Sequence, residues 1–213
     1  MPMRRVVISA FVLTLAGTFG LVGGAAAAPN EAPSGPATAS SAQGVEKILP
    51  FQHQWQETGY WCGPAATRVA ISARTNNPPS QATLAAQLGT HTGGTDHISQ
   101  VSTVLRANLG VPYEYREMPN DPPTQWQRDQ LWRDIIADID AGFAVVANIV
   151  APPGNQPPGY PPNQTVYHYV AVVGYDTNYN TVLIADSAQF SLGVYWLNFS
   201  QLATLIPPKG YAF

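Results

Sequence analysis

The sequence predicts an α+β domain in which helices come first and an antiparallel sheet follows. Between residues 62 and 141, apolar side chains recur every three or four positions, which is the period of a helix with one buried face. After residue 143 they form short runs rich in β-branched residues, a pattern typical of buried strands. Helices grouped before strands, rather than alternating with them, favour an α+β arrangement over a parallel sheet.

Four helices are predicted in the first part of this domain. The first begins at Cys62, where a proline in the opening turn costs no backbone hydrogen bond. The other three are predicted over residues 80–89, 96–110 and 124–142. Each ends at a glycine, and Ser80 is the predicted cap of the first of them. Asp96 is the predicted cap of the 96–110 helix.

Four strands are predicted to follow, over residues 143–150, 166–175, 181–186 and 193–197. The second and third are separated by a polar turn and therefore form a hairpin. Residues 152–163, between the first two strands, are rich in proline and glycine. We interpret this segment as a long exposed loop. Because such loops in compact domains are often functional, we expect it to border a substrate groove.

Residues 1–28 are predicted to be a secretory signal peptide. Arg4 and Arg5 form its charged start, residues 6–22 are mainly apolar, and residues 23–28 supply the small side chains that a signal peptidase requires. A membrane anchor is the alternative, but the apolar stretch is interrupted by threonine and glycine and runs directly into the cleavage pattern. We therefore expect a secreted, extracellular protein with no stable membrane insertion after cleavage.

The rest of the chain is predicted to be a linker and one folded domain. Residues 29–44 consist largely of Pro, Ala, Ser and Gly, which bury too little apolar surface to order a backbone. Residues 45–213 are long enough for one domain with a substantial core. The formal net charge is −3 and Lys47 and Lys209 are the only lysines, so nothing supports binding to nucleic acid. We expect a monomer.

A single cysteine, Cys62, is the first indication of chemistry. Exported proteins meet an oxidising environment in which cysteines usually pair, so an unpaired thiol there is either reactive or buried and inert. The number of cysteines does not favour one over the other. Its place at the start of a helix favours reactivity, because the free N–H groups of the first turn stabilise a thiolate.

Further side chains supply the other groups that a thiolate enzyme requires. His168 lies in an apolar strand and is the candidate base, although a core histidine bonded to the backbone is the alternative. Asp186 ends the next strand of the hairpin and can orient that imidazole, or can simply cap the strand. An upstream glutamine, Gln52, Gln54 or Gln56, is a candidate donor to an oxyanion.

The remaining histidines do not indicate a metal or a cofactor. His91 and His97 lie on either side of a Gly-Gly pair and close to Asp96, but their spacing matches no closed zinc site. His53 is predicted to be an exposed loop residue. We therefore expect no bound metal and no cofactor.

The ordered set of these residues resembles the C39-like family of papain-like bacterial cysteine peptidases. That family has a glutamine six residues before a Cys-Gly-Pro, a histidine in an apolar strand that ends in Gly-Tyr-Asp, and an aspartate at the end of the next strand. Here Gln56 stands six residues before the Cys-Gly-Pro that begins at Cys62. His168 lies in an apolar strand that runs to Gly-Tyr-Asp, and Asp186 ends the next strand. The resemblance covers essentially the whole folded part.

The resemblance implies a helical half that carries the cysteine and an antiparallel sheet half that carries the histidine and aspartate. A groove between them would take a peptide or protein substrate. The implied roles are nucleophile for Cys62, general base and acid for His168, orienting residue for Asp186 and side-chain oxyanion donor for Gln56. Tyr60 and Trp61, beside the nucleophile, either shape a substrate pocket or pack against the sheet.

Two departures limit what the resemblance implies. The best-known members precede a membrane transporter and trim double-glycine leader peptides; this chain carries no transporter, so that substrate is not transferred. Asp186 is followed by Ser187, where many relatives have proline. The resemblance implies a secreted cysteine peptidase that acts through an acyl-enzyme. The alternatives are an amidase or transpeptidase on the same fold and a non-catalytic binding module.

Overall fold

The computed structural model describes residues 44–213. The predicted signal peptide and all but the last residue of the predicted linker lie outside these residues and stay predictions. The described chain contains five helices and seven strands, in the order β1 (Glu46–Ile48), α1 (Cys62–Ser72), α2 (Gln81–Leu88), α3 (Ile98–Leu109), β2 (Tyr115–Glu117), α4 (Gln125–Ala141), β3 (Val145–Ala151), β4 (Val166–Asp176), β5 (Thr181–Ala185), β6 (Val194–Asn198), α5 (Phe199–Leu205) and β7 (Gly210–Ala212).

The strands form one antiparallel sheet with β4 at its centre. The order is β2-β7-β3-β4-β5-β6, and β1 pairs with the end of β4. β3 pairs with the first part of β4 and places Ile149 opposite His168. β5 pairs with the second part and places Ala185 opposite Ala171. Because Asp186 follows Ala185 directly, the hairpin of β4 and β5 brings it close to His168.

The helices cover the central strands of this sheet. α1 packs against β4, α2 and α3, while α4 contacts β4, β3 and α5. Successive residues of β3 and β4 are buried, so both faces of these strands are covered. The buried side chains of α1 next to its first turn are small, among them Ala65 and Ala66, which allows the start of the helix to lie close to the sheet.

Capping residues determine where most of the helices begin. Ser80 caps α2 as predicted and Thr124 caps α4, and each accepts a hydrogen bond from the backbone N–H three residues on. The prediction of Asp96 as the cap of α3 is wrong. His97 is the cap, and its Nδ1 accepts from the backbone N–H of Ser99 at 3.2 Å. The Asp96 carboxylate instead bonds a histidine ring 2.9 Å away.

The predicted α+β class is confirmed, with corrections in detail. The strands β1, β2 and β7 and the helix α5 were not predicted; the three strands have three residues each, too few to show a period. Residues 152–163 form the predicted loop between β3 and β4, but the loop is not exposed throughout, since Tyr160 is buried. No helix within residues 44–213 has both the length and the apolar character needed to cross a membrane.

Candidate active site

Cys62 is the first residue of α1 and is partly exposed. The preceding residue, Trp61, provides no side-chain cap, so the first-turn N–H groups are not taken by a capping side chain. The backbone N–H of Gly63 is one of the groups that stabilise the Cys62 thiolate. A Cβ atom at Gly63 would clash with Thr95 Oγ1, so glycine is required for this close approach.

His168 presents its imidazole to the sulfur of Cys62 from strand β4. Both side chains line the same cleft, and each shifts the pKa of the other towards a thiolate and an imidazolium. His168 Nε2 donates to Asp186 Oδ1 at 2.9 Å, which leaves Nδ1 as the ring nitrogen available to the sulfur. Only 4% of His168 is exposed, so the orientation of the ring is fixed by these two partners and by the surrounding sheet.

Asp186 lies immediately after β5 and is completely buried. Its Oδ1 accepts from His168 and from the backbone N–H of Ala188, each at 2.9 Å. Its Oδ2 accepts from the phenols of Tyr160 and Tyr195, each at 2.8 Å. Both carboxylate oxygens are therefore satisfied, and the carboxylate is held with Oδ1 towards the imidazole.

The pKa values of these three groups shift in the directions that favour a thiolate and an imidazolium. Burial alone raises the pKa of Cys62, but the hydrogen bond and charge of His168 outweigh it and lower the pKa. Burial opposes the charging of His168, yet Asp186 and Cys62 raise its pKa to about 10. Burial likewise opposes ionisation of Asp186, and the His168 hydrogen bond reverses this and lowers its pKa.

A cleft of about 240 Å³ opens onto the sulfur of Cys62. One part of its lining comes from the segment before α3 and the other from β3, β4 and the segment before β7. The lining residues are Cys62, Gly93, Gly94, Thr95, Asp96, Asn148, Tyr167, His168, Tyr169 and Lys209. A ligand in this cleft would therefore lie between the helical part and the sheet, next to the thiol.

The structure brings Cys62, His168 and Asp186 together. The side-chain amide of Gln56, however, is already engaged in another hydrogen bond and is not free as an oxyanion donor. Gln56 Nε2 donates to the carbonyl oxygen of Thr58 at 2.8 Å. The same side chain lines a second cleft, together with residues 188–190. Its backbone N–H bonds the carbonyl oxygen of Ser187 at 2.9 Å, which ties this segment to the residue after Asp186.

Tyr60 and Trp61 contact each other edge to face, with ring centroids 6.4 Å apart. Both are partly exposed. Neither Tyr60 nor Trp61 is among the described residues that line the cleft at Cys62. Their role in substrate binding stays a prediction. Within residues 44–213, no group of three or more His, Cys, Asp or Glu side chains is arranged to hold a metal ion.

Several residues of the site were missed in the sequence. His53 was predicted to be exposed, but it is half-buried and its Nε2 donates to the backbone carbonyl of Asp186 at 2.7 Å. Tyr160 and Tyr195 had no sequence signal of their own. The only available signal was the proline-rich loop, predicted to border a groove, because that loop carries Tyr160 onto Asp186.

The fold is of the papain-like α+β class. Its helical layer carries a cysteine at the start of a helix, and its antiparallel sheet carries a histidine and an aspartate. A family model described as the Peptidase_C39 like family matches residues 48–204. The chain therefore belongs to the C39-like peptidase family. No protein with a curated description matches the sequence.

Several solved structures are similar to this chain. A putative C39-like peptidase from Bacillus anthracis is 14% identical, with a TM-score of 0.51, and the match covers 79% of this chain and 96% of that one. The peptidase domain of Streptococcus ComA, a bifunctional ABC transporter, is 18% identical, with a TM-score of 0.46, and the match covers 78% and 95%. Xylellain, a cysteine protease from Xylella fastidiosa, is 15% identical, with a TM-score of 0.49, and the match covers 78% and 84%. The Bacillus structure supports the fold.

Proposed function

We propose that this protein is a secreted cysteine peptidase that hydrolyses peptide bonds through an acyl-enzyme on Cys62. The observation that carries the proposal is the close placement of three side chains. Cys62 and His168 line one cleft and shift each other's pKa, and His168 Nε2 lies 2.9 Å from a completely buried Asp186. This arrangement provides a nucleophile, a proton carrier and a group that orients the carrier.

In the acylation step, the thiolate of Cys62 attacks the carbonyl carbon of the peptide bond. A C–S bond forms, and the carbonyl oxygen takes up the negative charge. When the C–N bond breaks, His168 gives its proton to the departing amine and becomes neutral. Water then attacks the thioester and gives a proton to His168. The C–S bond breaks, the acid leaves, and the thiolate and imidazolium are restored.

The developing oxyanion requires donors near the sulfur. We propose the backbone N–H of Cys62 as one donor and the side chain of Gln56 as the other. Because Gln56 Nε2 bonds the carbonyl oxygen of Thr58, it must exchange that bond for one to the oxyanion. Gln56→Ala is expected to lower kcat by about 10²–10³-fold with a small change in KM. An unchanged kcat would exclude Gln56 as the donor.

The direct test is the incubation of the purified protein with a mixture of unmodified peptides, followed by mass spectrometry of the products. We expect new peptide termini, a transient covalent adduct on Cys62, and loss of both in Cys62→Ala. The protein must be handled under reducing conditions, because its only thiol is the nucleophile. Transfer of the acyl group to an added amine, in preference to water, would instead indicate a transpeptidase. No cleavage and no adduct would contradict an enzyme of either kind.

We also propose that the protein is exported and that its first residues are removed. The support is the order of two arginines, an apolar stretch and small residues at the start of the sequence. Sequencing the amino terminus of protein collected outside an expressing bacterium is expected to show cleavage near Ala27 or Ala28. Retention of Met1 on protein held in the membrane would contradict export by this route.

A further inference from the structure

Lys209 is a cationic side chain in the wall of the cleft that contains Cys62. It directly precedes β7 and is half-buried. Its Nζ lies 5.9 Å from the ring centroid of Tyr167, which is the residue before His168. The ammonium group is therefore held in the cleft by an aromatic face that lies next to the proposed reactive centre.

The charge of Lys209 is not neutralised by a carboxylate within residues 44–213, since the salt bridges there do not include it. The other lysine of the chain behaves differently, because Lys47 Nζ lies 3.2 Å from Asp140. Asp96 is the one carboxylate among the described residues that line the cleft, and its Oδ1 lies 2.9 Å from His91 Nε2. The cleft thus has a lysine with no ion-pair partner among these residues and a carboxylate that is hydrogen bonded to His91.

We propose, on the basis of the peptidase function above, that Lys209 selects substrates with a carboxylate close to the bond that is cleaved. The ammonium is close enough to the sulfur to share one small cleft, so the carboxylate belongs to the few substrate residues on either side of the scissile bond. An acidic side chain and a free carboxyl terminus of the substrate both present this chemistry. Lys209 acts here as a specificity-determining residue and takes no part in bond breaking.

The first test uses alkylation of Cys62, which needs no peptide turnover. The thiolate displaces iodide from either iodoacetate, an anion, or iodoacetamide, its neutral analogue, and the only thiol of the chain gives an unambiguous mass change. We expect Lys209→Gln to lower the ratio of the iodoacetate rate to the iodoacetamide rate by about two- to fivefold. This is the range that a screened ion pair gives. Lys209→Arg should keep the ratio, because the charge remains.

Lys47→Gln is the matched control, because it removes the same charge from a lysine that pairs with Asp140 outside the cleft. Its ratio of rates should equal that of the wild type. A ratio that is the same in Lys209→Gln as in the wild type would overturn the proposal. An equal fall of the ratio in both variants would also overturn it, because the effect would then come from net charge and not from the cleft.

The second test compares peptides that differ only in the carboxylate. One arm pairs a Glu peptide with its Gln counterpart, and the other pairs a free carboxyl terminus with its amide. In the arm that reveals the source of the carboxylate, the peptide with the carboxylate has a higher kcat/KM than its neutral counterpart. That advantage should fall in Lys209→Gln. Cleavage with no preference in either arm would overturn the carboxylate proposal and leave the peptidase standing. A lowered alkylation ratio without any cleavage would support the carboxylate site and contradict the peptidase.

Discussion

Replacing Tyr160 and Tyr195 together by Phe removes both donors from one oxygen of Asp186. The two phenols donate to Oδ2 at 2.8 Å, and all three residues are buried. In the double variant, Oδ2 loses both phenol donors and the carboxylate is less stable as an anion. We therefore expect the pKa of Asp186 to rise and the thiolate of Cys62 to form only at a higher pH.

The size of the effect follows from the strength of the lost bonds. A hydrogen bond to a charged group contributes about 1.5–3 kcal/mol, and about 1.4 kcal/mol corresponds to one pKa unit. Each phenol therefore helps to hold the pKa of Asp186 below its ordinary value, and water entering the space would restore part of the lost stabilisation. When Asp186 is protonated it no longer stabilises the imidazolium of His168. The acid limb of Cys62 reactivity should thus move up by about one pH unit or more in the double variant.

The assay is the rate of iodoacetamide alkylation of Cys62 as a function of pH. Tyr113→Phe is the matched control, because Tyr113 is also buried and donates one hydrogen bond, to the carbonyl of Ala144 at 2.8 Å, away from Asp186. Its stability should fall while its pH profile stays that of the wild type. If the double variant folds and its acid limb coincides with the control, the phenols do not act on Asp186 in the way proposed.

Two further predictions concern stability. Asp138 has a buried Oδ2 without a partner in residues 44–213, and burial, with the charge of Asp134, raises its pKa to about 7. A raised carboxyl pKa destabilises the fold as pH rises from about 4 to 7, because the unfolded state ionises first. In urea unfolding, the stability of Asp138→Asn relative to the wild type should therefore increase by about 1–2 kcal/mol over that range. Gly63→Ala should lower stability by about 1–3 kcal/mol through its clash with Thr95, and Thr95→Ala should recover part of the loss in thermal unfolding.

The central part of the site could be predicted from the sequence because it depends on local pairing. His168 lies in β4 and Asp186 directly follows β5, and the hairpin that joins these two strands brings the residues close together. Cys62 could be assigned to a helix start from the proline that follows it. The meeting of Cys62 with His168 needed the resemblance to a family, because no periodicity relates residues so far apart in the chain.

The supporting residues could not be predicted, because their positions depend on tertiary contacts. Tyr160 is buried in a proline-rich loop by contact with His168 and with the ring of Phe190, 5.0 Å away, and loop composition does not indicate such a contact. Asp96 was a reasonable cap for α3. Its carboxylate is instead hydrogen bonded to His91 across a turn and does not cap the helix. In both cases a side-chain contact that the sequence does not signal decided between two locally acceptable arrangements.

The claim on which the account depends is that Cys62 is a thiolate paired with the imidazolium of His168. The ultraviolet absorbance of the thiolate, taken as the difference between the wild type and Cys62→Ala over a pH titration, measures this directly for the only thiol of the chain. We expect the thiolate signal to be present well below pH 8.5, about the value for a free cysteine. A single transition at or above that pH would contradict the ion pair, and with it the proposed mechanism.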